Sequence, residues 1–205
     1  MSNIVGVMLA AGESSRMGRN KLALPFNSTT IGCSSLRTAL DSELDHVIVV
    51  TRKEDDLVWI DRSLLLLSPA WSRIKCDHAQ KGQASSLKCG IKAAEDRNAD
   101  AVVVLLADQP LLHSKMINKL ISRFTKTPKS NYVASRYDDR MQPPILFSSA
   151  FFSTLLQTTG DQGARTILRK SSPDLGAVVD FEEGRSFQDI DTEDDYKWLK
   201  ETTNR

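Results

Sequence analysis

Leu9-Ala-Ala-Gly-Glu-Ser-Ser-Arg-Met-Gly-Arg-Asn-Lys21 follows directly on the apolar run Ile4-Val-Gly-Val-Met8. The run reads as a buried strand, and the glycine-punctuated turn behind it stands where a parallel sheet delivers a loop to a ligand. Gly12 and Gly18 permit backbone conformations and close approaches that a side chain would block, while Arg16 and Lys21 bring positive charge to the same place. That combination suits a polyphosphate. Two standard phosphate-loop templates nevertheless fail. A Walker A loop needs Gly-Lys-Ser/Thr four residues after its first glycine, whereas Gly12 and Gly18 are six apart and Arg19 follows. The dinucleotide fingerprint Gly-x-Gly-x-x-Gly breaks at Ser14.

Outward from this loop, residues 34–44 carry Leu36, Ala39, Leu40 and Leu44 at near-helical spacing, and His46-Val-Ile-Val-Val-Thr51 reads as a buried strand, completing a βαβ unit. A short helix is expected over 54–60, a short apolar element over 64–67 and a weak strand over 74–78. Gly82-Gln-Ala-Ser-Ser-Leu87 opens a helix running to about residue 95, and Ala101-Val-Val-Val-Leu-Leu-Ala107 is the clearest buried strand, ending on Asp108. Ser114 is placed to cap a helix to about residue 125, stopped by Pro128. Residues 132–135 and 145–147 look like strands flanking a loop over 136–144. Ser148 or Ser149 then opens a helix containing Phe151, Phe152 and Leu155. A turn at 160–163 leads into a helix over 164–170, Ala177-Val-Val-Asp180 makes a last strand, and an acid-capped helix begins at Asp191. This alternation predicts an α/β fold with a largely parallel sheet. Without repeats, low-complexity segments or linkers, residues 1–205 read as a single domain.

With 27 Lys+Arg against 26 Asp+Glu and a net charge of +1, there is no global field to draw nucleic acid or an anionic membrane, so any anion site must be local. The N-terminus lacks a signal-peptide pattern and no apolar stretch approaches a membrane span, which makes a cytoplasmic location the expectation. Cys33, Cys76 and Cys89 have neither CxxC nor Cys/His ligand spacing and read as reduced, mostly buried thiols.

Four further stretches bear on chemistry. Asp108, directly behind a buried strand, lies at the sheet edge where a carboxylate can hold Mg²⁺ shared with substrate phosphates; capping of the next turn is an equal alternative. Asp189 and Asp191 alternate about Ile190, so both carboxylates share one face if the segment is extended. Helix capping by Asp191 or Thr192 is the stronger reading of that cluster taken alone. Gly82, Gln83, Ser85 and Ser86 offer polar groups at a helix start, suited to a base, ribose or phosphate. Gly160-Asp-Gln-Gly-Ala-Arg165 resembles a second anion-holding turn, with Arg165 able to grip phosphate through two N–H groups. No partner at helical spacing gives His46, His78 or His113 a catalytic task, no nucleophile elbow surrounds Ser85 or Ser86, and the tryptophans read as packing. Arg136, Arg140 and Gln142, beside Pro143-Pro144, either face a substrate or belong to a solvated loop.

Together these stretches resemble the GT-A-type nucleotidyltransferases, and within them the molybdenum cofactor cytidylyltransferase branch, whose relatives include purine-catabolism accessory proteins serving xanthine dehydrogenase. The segment Leu9 to Lys21 is similar throughout to that family's LAAGxSxRMGxxK signature, and Gly82-Gln-Ala-Ser-Ser-Leu87, Asp108-Gln-Pro110, the turn at 160–165 and Asp189-Ile-Asp-Thr-Glu-Asp-Asp-Tyr196 follow in the family's order. The resemblance implies a three-layer Rossmann-like fold with a mostly parallel mixed sheet, and transfer of a cytidylyl group from CTP to a molybdopterin-type cofactor with Mg²⁺. It implies that Leu9, Ala10, Ala11, Gly12, Arg16, Lys21, Gly82, Gln83 and Ser86 bind the nucleotide, with Arg16, Lys21 and Asp108 catalytic. It further implies that Asp108 and Asp191 hold the metal, with Asp189 beside them, and that Gln142, Pro143 and Arg165 face the acceptor. One departure stands out: the branch commonly has Arg-Gly-x-Pro where this chain has Arg140-Met141-Gln142-Pro143, which bears on the acceptor's identity. Guanylyl or sugar-phosphate nucleotidyl transfer, and a non-catalytic molybdenum cofactor carrier, are the alternatives.

Overall fold

The computed structural model describes residues 2–66, 69–127, 129–160, 163–170 and 172–203, without the side chains of residues 165, 170 and 173. The helix stop expected at Pro128 therefore lies outside the described residues. Every residue of β1 (Ile4–Leu9) is buried, as expected of a strand covered on both faces. The chain continues through a small hairpin, β2 (Pro25–Phe26) and β3 (Thr29–Thr30), to α1 (Ile31–Leu40), β4 (His46–Arg52), α2 (Arg62–Leu65), β5 (Trp71–Cys76), α3 (Gln83–Glu95) and β6 (Ala101–Leu106). Beyond it come α4 (Ser114–Lys126), β7 (Tyr132–Tyr137), β8 (Arg140–Ser148), α5 (Phe152–Leu156), α6 (Ala164–Lys170), β9 (Gly176–Asp180) and α7 (Glu193–Thr203).

Seven strands pair in the order β5-β4-β1-β6-β8-β7-β9. β5, β4, β1 and β6 run parallel, β8 is antiparallel to both β6 and β7, and β9 is parallel to β7, so the sheet is mixed and mostly parallel. The pleat of β1 divides the core. Ile4 and Met8 pack with Leu36, Ile117, Leu120 and Leu199 from α1, α4 and α7, whereas Val5, Val7 and Leu9 pack with Leu87, Ile91, Leu155 and Leu168 from α3, α5 and α6. The result is the expected three-layer α/β/α arrangement.

The α3 layer sits close against the sheet. A Cβ added at Gly90 would lie 2.2 Å from Val7 Cγ1 and 3.1 Å from Val50 Cγ2. Both valines are fully buried and stiff at χ1. Gly90→Ala is therefore expected to destabilise the protein by about 1–2 kcal/mol, overpacking outweighing alanine's better helix propensity. A urea midpoint unchanged or raised in this variant would contradict that tight contact.

Several local expectations are corrected. α1 begins at Ile31 rather than residue 34, because Thr30 caps it by accepting the Cys33 N–H at 3.2 Å. No helix forms over 54–60. Leu57 takes φ 60° and Asp55 accepts both the Leu57 N–H at 2.7 Å and the Trp59 indole N–H at 3.2 Å, a local side-chain alternative to helical bonding. β5 starts at Trp71, and Ser114 is the first residue of α4, behind His113 at the N-cap. The loop expected over 136–144 is instead an antiparallel ribbon: Asp138 and Asp139 both adopt left-handed φ, forming a two-residue hairpin turn. Pro143 and Pro144 fit within β8 because they are themselves the bulge: Ala134 pairs with Ile145 and Ser135 with Gln142, so the two prolines are skipped by the ladder.

Candidate active site

Leu9 and Leu106 are register partners at the carboxyl ends of β1 and β6. The chain leaves β1 toward β4 and β5 on one side and returns to β6 on the other, so the crevice above these two ends is the sheet's topological switch point. Two segments meet there. The loop after β1 is shaped by left-handed Ser14 and Gly18 and leads into a short 3-10 turn carrying Lys21, capped by Asn20. The segment before α7 is drawn in by the Ile190 N–H, which donates to the Asp108 carbonyl at 3.0 Å. Ile190 is fully buried, so its neighbours Asp189 and Asp191 both face the crevice, as their alternation predicts.

A cavity of about 670 Å³ occupies the crevice, and Leu9, Ala10, Ala11, Gly12, Arg16, Lys21, Gly82, Gln83, Ser86, Asp108, Asp189 and Asp191 all line it. A smaller cavity of about 170 Å³ shares Leu9, Gln83, Leu106 and Asp189 with the first and adds Gln142 and Pro143. The residues expected at the nucleotide and those expected at the acceptor are thus adjacent. The side chain of Arg165 lies outside the described residues, as do residues 161–162 of its turn. Arg136 is paired with Asp180, and neither Arg136 nor exposed Arg140 lines either cavity.

The charges are tightly knit. Lys21, only 8% exposed, donates from Nζ to Asp108 Oδ2 and, at 2.7 Å, to Asp191 Oδ1. Arg16 donates to Asp191 Oδ2 at 3.0 Å. Burial works against the Lys21 ammonium, but the charges and hydrogen bonds of Asp108 and Asp191 outweigh it and hold Lys21 above the usual lysine range. Burial likewise opposes the Asp191 carboxylate, yet Lys21 and Arg16 keep it below the usual range. Asp189 moves the other way: burial, then the charges of Asp108 and Asp191, push it up to about 7 despite the Gln109 hydrogen bond. Four carboxylate side chains, Glu13, Asp108, Asp189 and Asp191, line the crevice with two cations and create a demand for further positive charge. Lys21, expected against a triphosphate, is here bonded to the carboxylates instead.

The capping alternative for the second acid cluster is also resolved. Thr192 and Asp195 bond reciprocally, Thr192 Oγ1 accepting the Asp195 N–H at 3.1 Å and Asp195 Oδ2 accepting the Thr192 N–H at 2.8 Å. Thr192 therefore serves the helix start, and Asp191 is left for Lys21 and Arg16. The Asp108 carboxylate likewise faces the crevice, with Lys21 as its partner.

Sequence reasoning missed Gln109. It is 2% exposed, and its amide donates to the Phe187 carbonyl at 3.2 Å and to Asp189 Oδ1 at 2.8 Å, clamping the second acid segment to the first. Its place directly after Asp108 was the available signal. Gln109→Leu strands both acceptors, and a loss of about 1–3 kcal/mol is expected by thermal unfolding. An unchanged midpoint would remove the clamp. Arg19 also went unremarked; its guanidinium grips Glu193 at 2.7 and 2.8 Å, tying the β1 loop to α7.

Away from the crevice, Trp59 and Trp71 are buried packing, His46 bonds Ser72 at 2.8 Å, and the three cysteines are free thiols, two of them buried. Among the described residues no helix is long and apolar enough to cross a membrane. Nor do three His, Cys, Asp or Glu side chains among them group closely enough to cage a metal alone. Asp108 and Asp191 nonetheless supply hard oxygen donors of the kind Mg²⁺ uses when substrate phosphates and water complete its shell. The residues fit a shared ion rather than a closed protein cage.

The MobA-like NTP transferase domain family matches residues 6–175. Purine catabolism protein PucB of Bacillus subtilis (strain 168) is 41% identical over 96% of each chain. A probable molybdenum cofactor guanylyltransferase of Mycobacterium avium (strain 104) is 30% identical over 65% of this chain and 68% of its own. The solved structure of a nucleotidyl transferase from Methanothermobacter thermautotroptrophicus superposes with a TM-score of 0.81 at 20% identity, covering 100% of this chain and 99% of that one, and so shares the fold. A switch-point crevice with a cationic glycine loop, and a sequence match spanning most of the sheet, lead to one conclusion: this chain belongs to the MobA-like NTP transferase family and is a nucleotidyltransferase.

Proposed function

We propose that residues 1–205 act as one cytoplasmic catalytic domain that transfers a cytidylyl group from CTP to the terminal phosphate of a molybdopterin-type cofactor. Pyrophosphate is released, and the product serves maturation of a xanthine dehydrogenase-type enzyme. The observation that carries the reading is the contiguity of the two cavities: the loop carrying Arg16 and Lys21 lies in one, and Gln142 and Pro143 lie in the other, with Asp189 and Gln83 common to both. A triphosphate fits beside the cations and an acceptor beside the glutamines, their reacting atoms meeting between. The LAAG form of the loop and the Asp108-Gln-Pro110 sequence favour cytidylyl over guanylyl transfer, and similarity to a purine catabolism protein favours the xanthine dehydrogenase connection.

An acceptor phosphate oxygen is already anionic, so its attack on the α-phosphorus needs no strong general base. The new P–O bond forms as the bond to the β-phosphate oxygen breaks, and the electron pair leaves with pyrophosphate. The chain's task is positioning and charge neutralisation. Gly12 and the neighbouring amides admit phosphates at close range, Arg16 and Lys21 hold the departing pyrophosphate, and Gln83 and Ser86 lie toward the nucleoside. Asp108 and Asp191 hold Mg²⁺, which supplies charge neutralisation to the phosphates. Arg165 takes the acceptor's phosphate side.

The test supplies purified protein with molybdopterin cofactor and each of the four nucleoside triphosphates, following pyrophosphate and the mass of the dinucleotide product. CTP is expected to give the cytosine dinucleotide. Clear preference for GTP transfers the assignment to guanylyl chemistry, and cofactor binding without NTP-dependent pyrophosphate release makes the protein a carrier.

A further inference from the structure

The Lys21 ammonium bonds Asp108 Oδ2 and Asp191 Oδ1 together, the two carboxylates to which a divalent ion is assigned above. We infer that Lys21 is a resident counter-cation of this acid pair, so that the nucleotide-free protein excludes a divalent ion and admits one only in company with a nucleoside triphosphate. The inference rests on the reading of Asp108 and Asp191 as metal ligands.

Charge balance and geometry both support it. Glu13, Asp108, Asp189 and Asp191 line the crevice against Lys21 and Arg16, so carboxylates outnumber cations there and the crevice attracts a cation. A dication arriving alone must break both Lys21 hydrogen bonds and then share a low-dielectric crevice with a displaced ammonium that has lost its partners. Arriving with a triphosphate, the same ion brings oxygens to which Lys21 can turn. The displacement has a mechanical route. Lys21 sits in a single 3-10 turn, and its backbone N–H donates to the Ser14 hydroxyl at 3.3 Å, tying it to the loop that lines the crevice. Phosphates settling on that loop therefore act directly on the segment bearing the ammonium. Arg16, whose side chain is 67% exposed, is far less committed to Asp191 than buried Lys21 is. Lys21 is the group that must move.

Linkage makes the effect reciprocal: nucleotide tightens metal and metal tightens nucleotide by the same factor. Mn²⁺ binding, followed by loss of the free-ion electron paramagnetic resonance signal, reads it without turnover. Wild-type protein alone is expected to bind Mn²⁺ at least about tenfold more weakly than with α,β-methylene CTP, after correction for Mn²⁺ held by the analogue itself. Lys21→Met, which keeps length and removes charge, is expected to bind Mn²⁺ alone about tenfold more tightly than wild type. Lys21→Arg, which keeps the charge, is expected to show no gain, and adding Asp108→Asn to Lys21→Met is expected to abolish it. Wild-type protein that binds Mn²⁺ equally well with and without the analogue overturns the inference, as does a folded Lys21→Met variant with no gain. If Lys21→Met does not fold, the two wild-type titrations still decide. Repeating them with non-hydrolysable GTP and ATP analogues separates this outcome from the choice of nucleotide: a protein that prefers GTP leaves the inference standing while the cytidylyl reading falls.

Discussion

Asp108→Ala is expected to abolish turnover, lowering the rate of pyrophosphate release by about 10³-fold or more. Loss of a single preorganised group that stabilises developing charge costs about 10²–10³ in rate, and this substitution removes more than one such contribution. It deletes one of the two carboxylates assigned to the ion, so both the ion's own charge neutralisation and the displacement that turns Lys21 toward the phosphates are lost. The fold itself is expected to survive. Asp108 lies beyond the last residue of β6, Lys21 retains Asp191, and Asp191 retains Arg16, so no buried charge is left without a partner. Asp108→Asn, which keeps shape and hydrogen bonding but not charge, separates the electrostatic contribution from the steric one and is expected to be nearly as inactive. Rates near wild type for Asp108→Ala, in protein shown to be folded by circular dichroism, would remove Asp108 from the reaction.

How much of this was legible in the sequence depends on the range of the interaction involved. β1 and β6 announce themselves because strands buried on both faces must be continuously apolar, and the sheet edge then fixes where the loop at 10–18 and Asp108 lie. Alternation about Ile190 correctly places Asp189 and Asp191 on one face, since a buried isoleucine forces its neighbours outward. What the sequence left open was which of two adjacent residues caps α7. Thr192 and Asp195 settle it by bonding each other, a choice that depends on Lys21 and Arg16 being at hand, about 170 residues earlier in the chain, to claim Asp191. Gln109 escaped notice for the same reason: its worth lies in Phe187 and Asp189, distant in sequence and adjacent only once the last segment has docked. The 136–144 ribbon was hidden differently. Consecutive prolines argue against a strand interior, and only a bulge in their own strand, which leaves them unpaired between Gln142 and Ile145, makes room for them.

Lys21→Ala separates the two tasks of this residue. Turnover is expected to fall by about 10²-fold or more, equivalent to about 2.7 kcal/mol of transition-state stabilisation, because the departing pyrophosphate loses a buried cationic donor that solvent cannot replace. The same substitution removes the ammonium from between Asp108 and Asp191, so the divalent ion needed for half-maximal rate is expected to fall, not rise. A lower rate with a lower metal requirement is an unusual pairing. A residue serving only to support the site would, when removed, leave the carboxylates disordered and raise the metal requirement together with the loss of rate. A residue serving only to neutralise the acids would be replaced by the ion itself, and excess metal would restore the wild-type rate. Lys21 is expected to do neither: metal fills the acid pair readily but does not recover the rate, since an ion at the carboxylates does not replace the ammonium at the leaving group. Steady-state kinetics at several metal concentrations, with pyrophosphate as the readout, distinguish the three patterns, and full rescue by metal would show that Lys21 makes no contact of its own in the transition state.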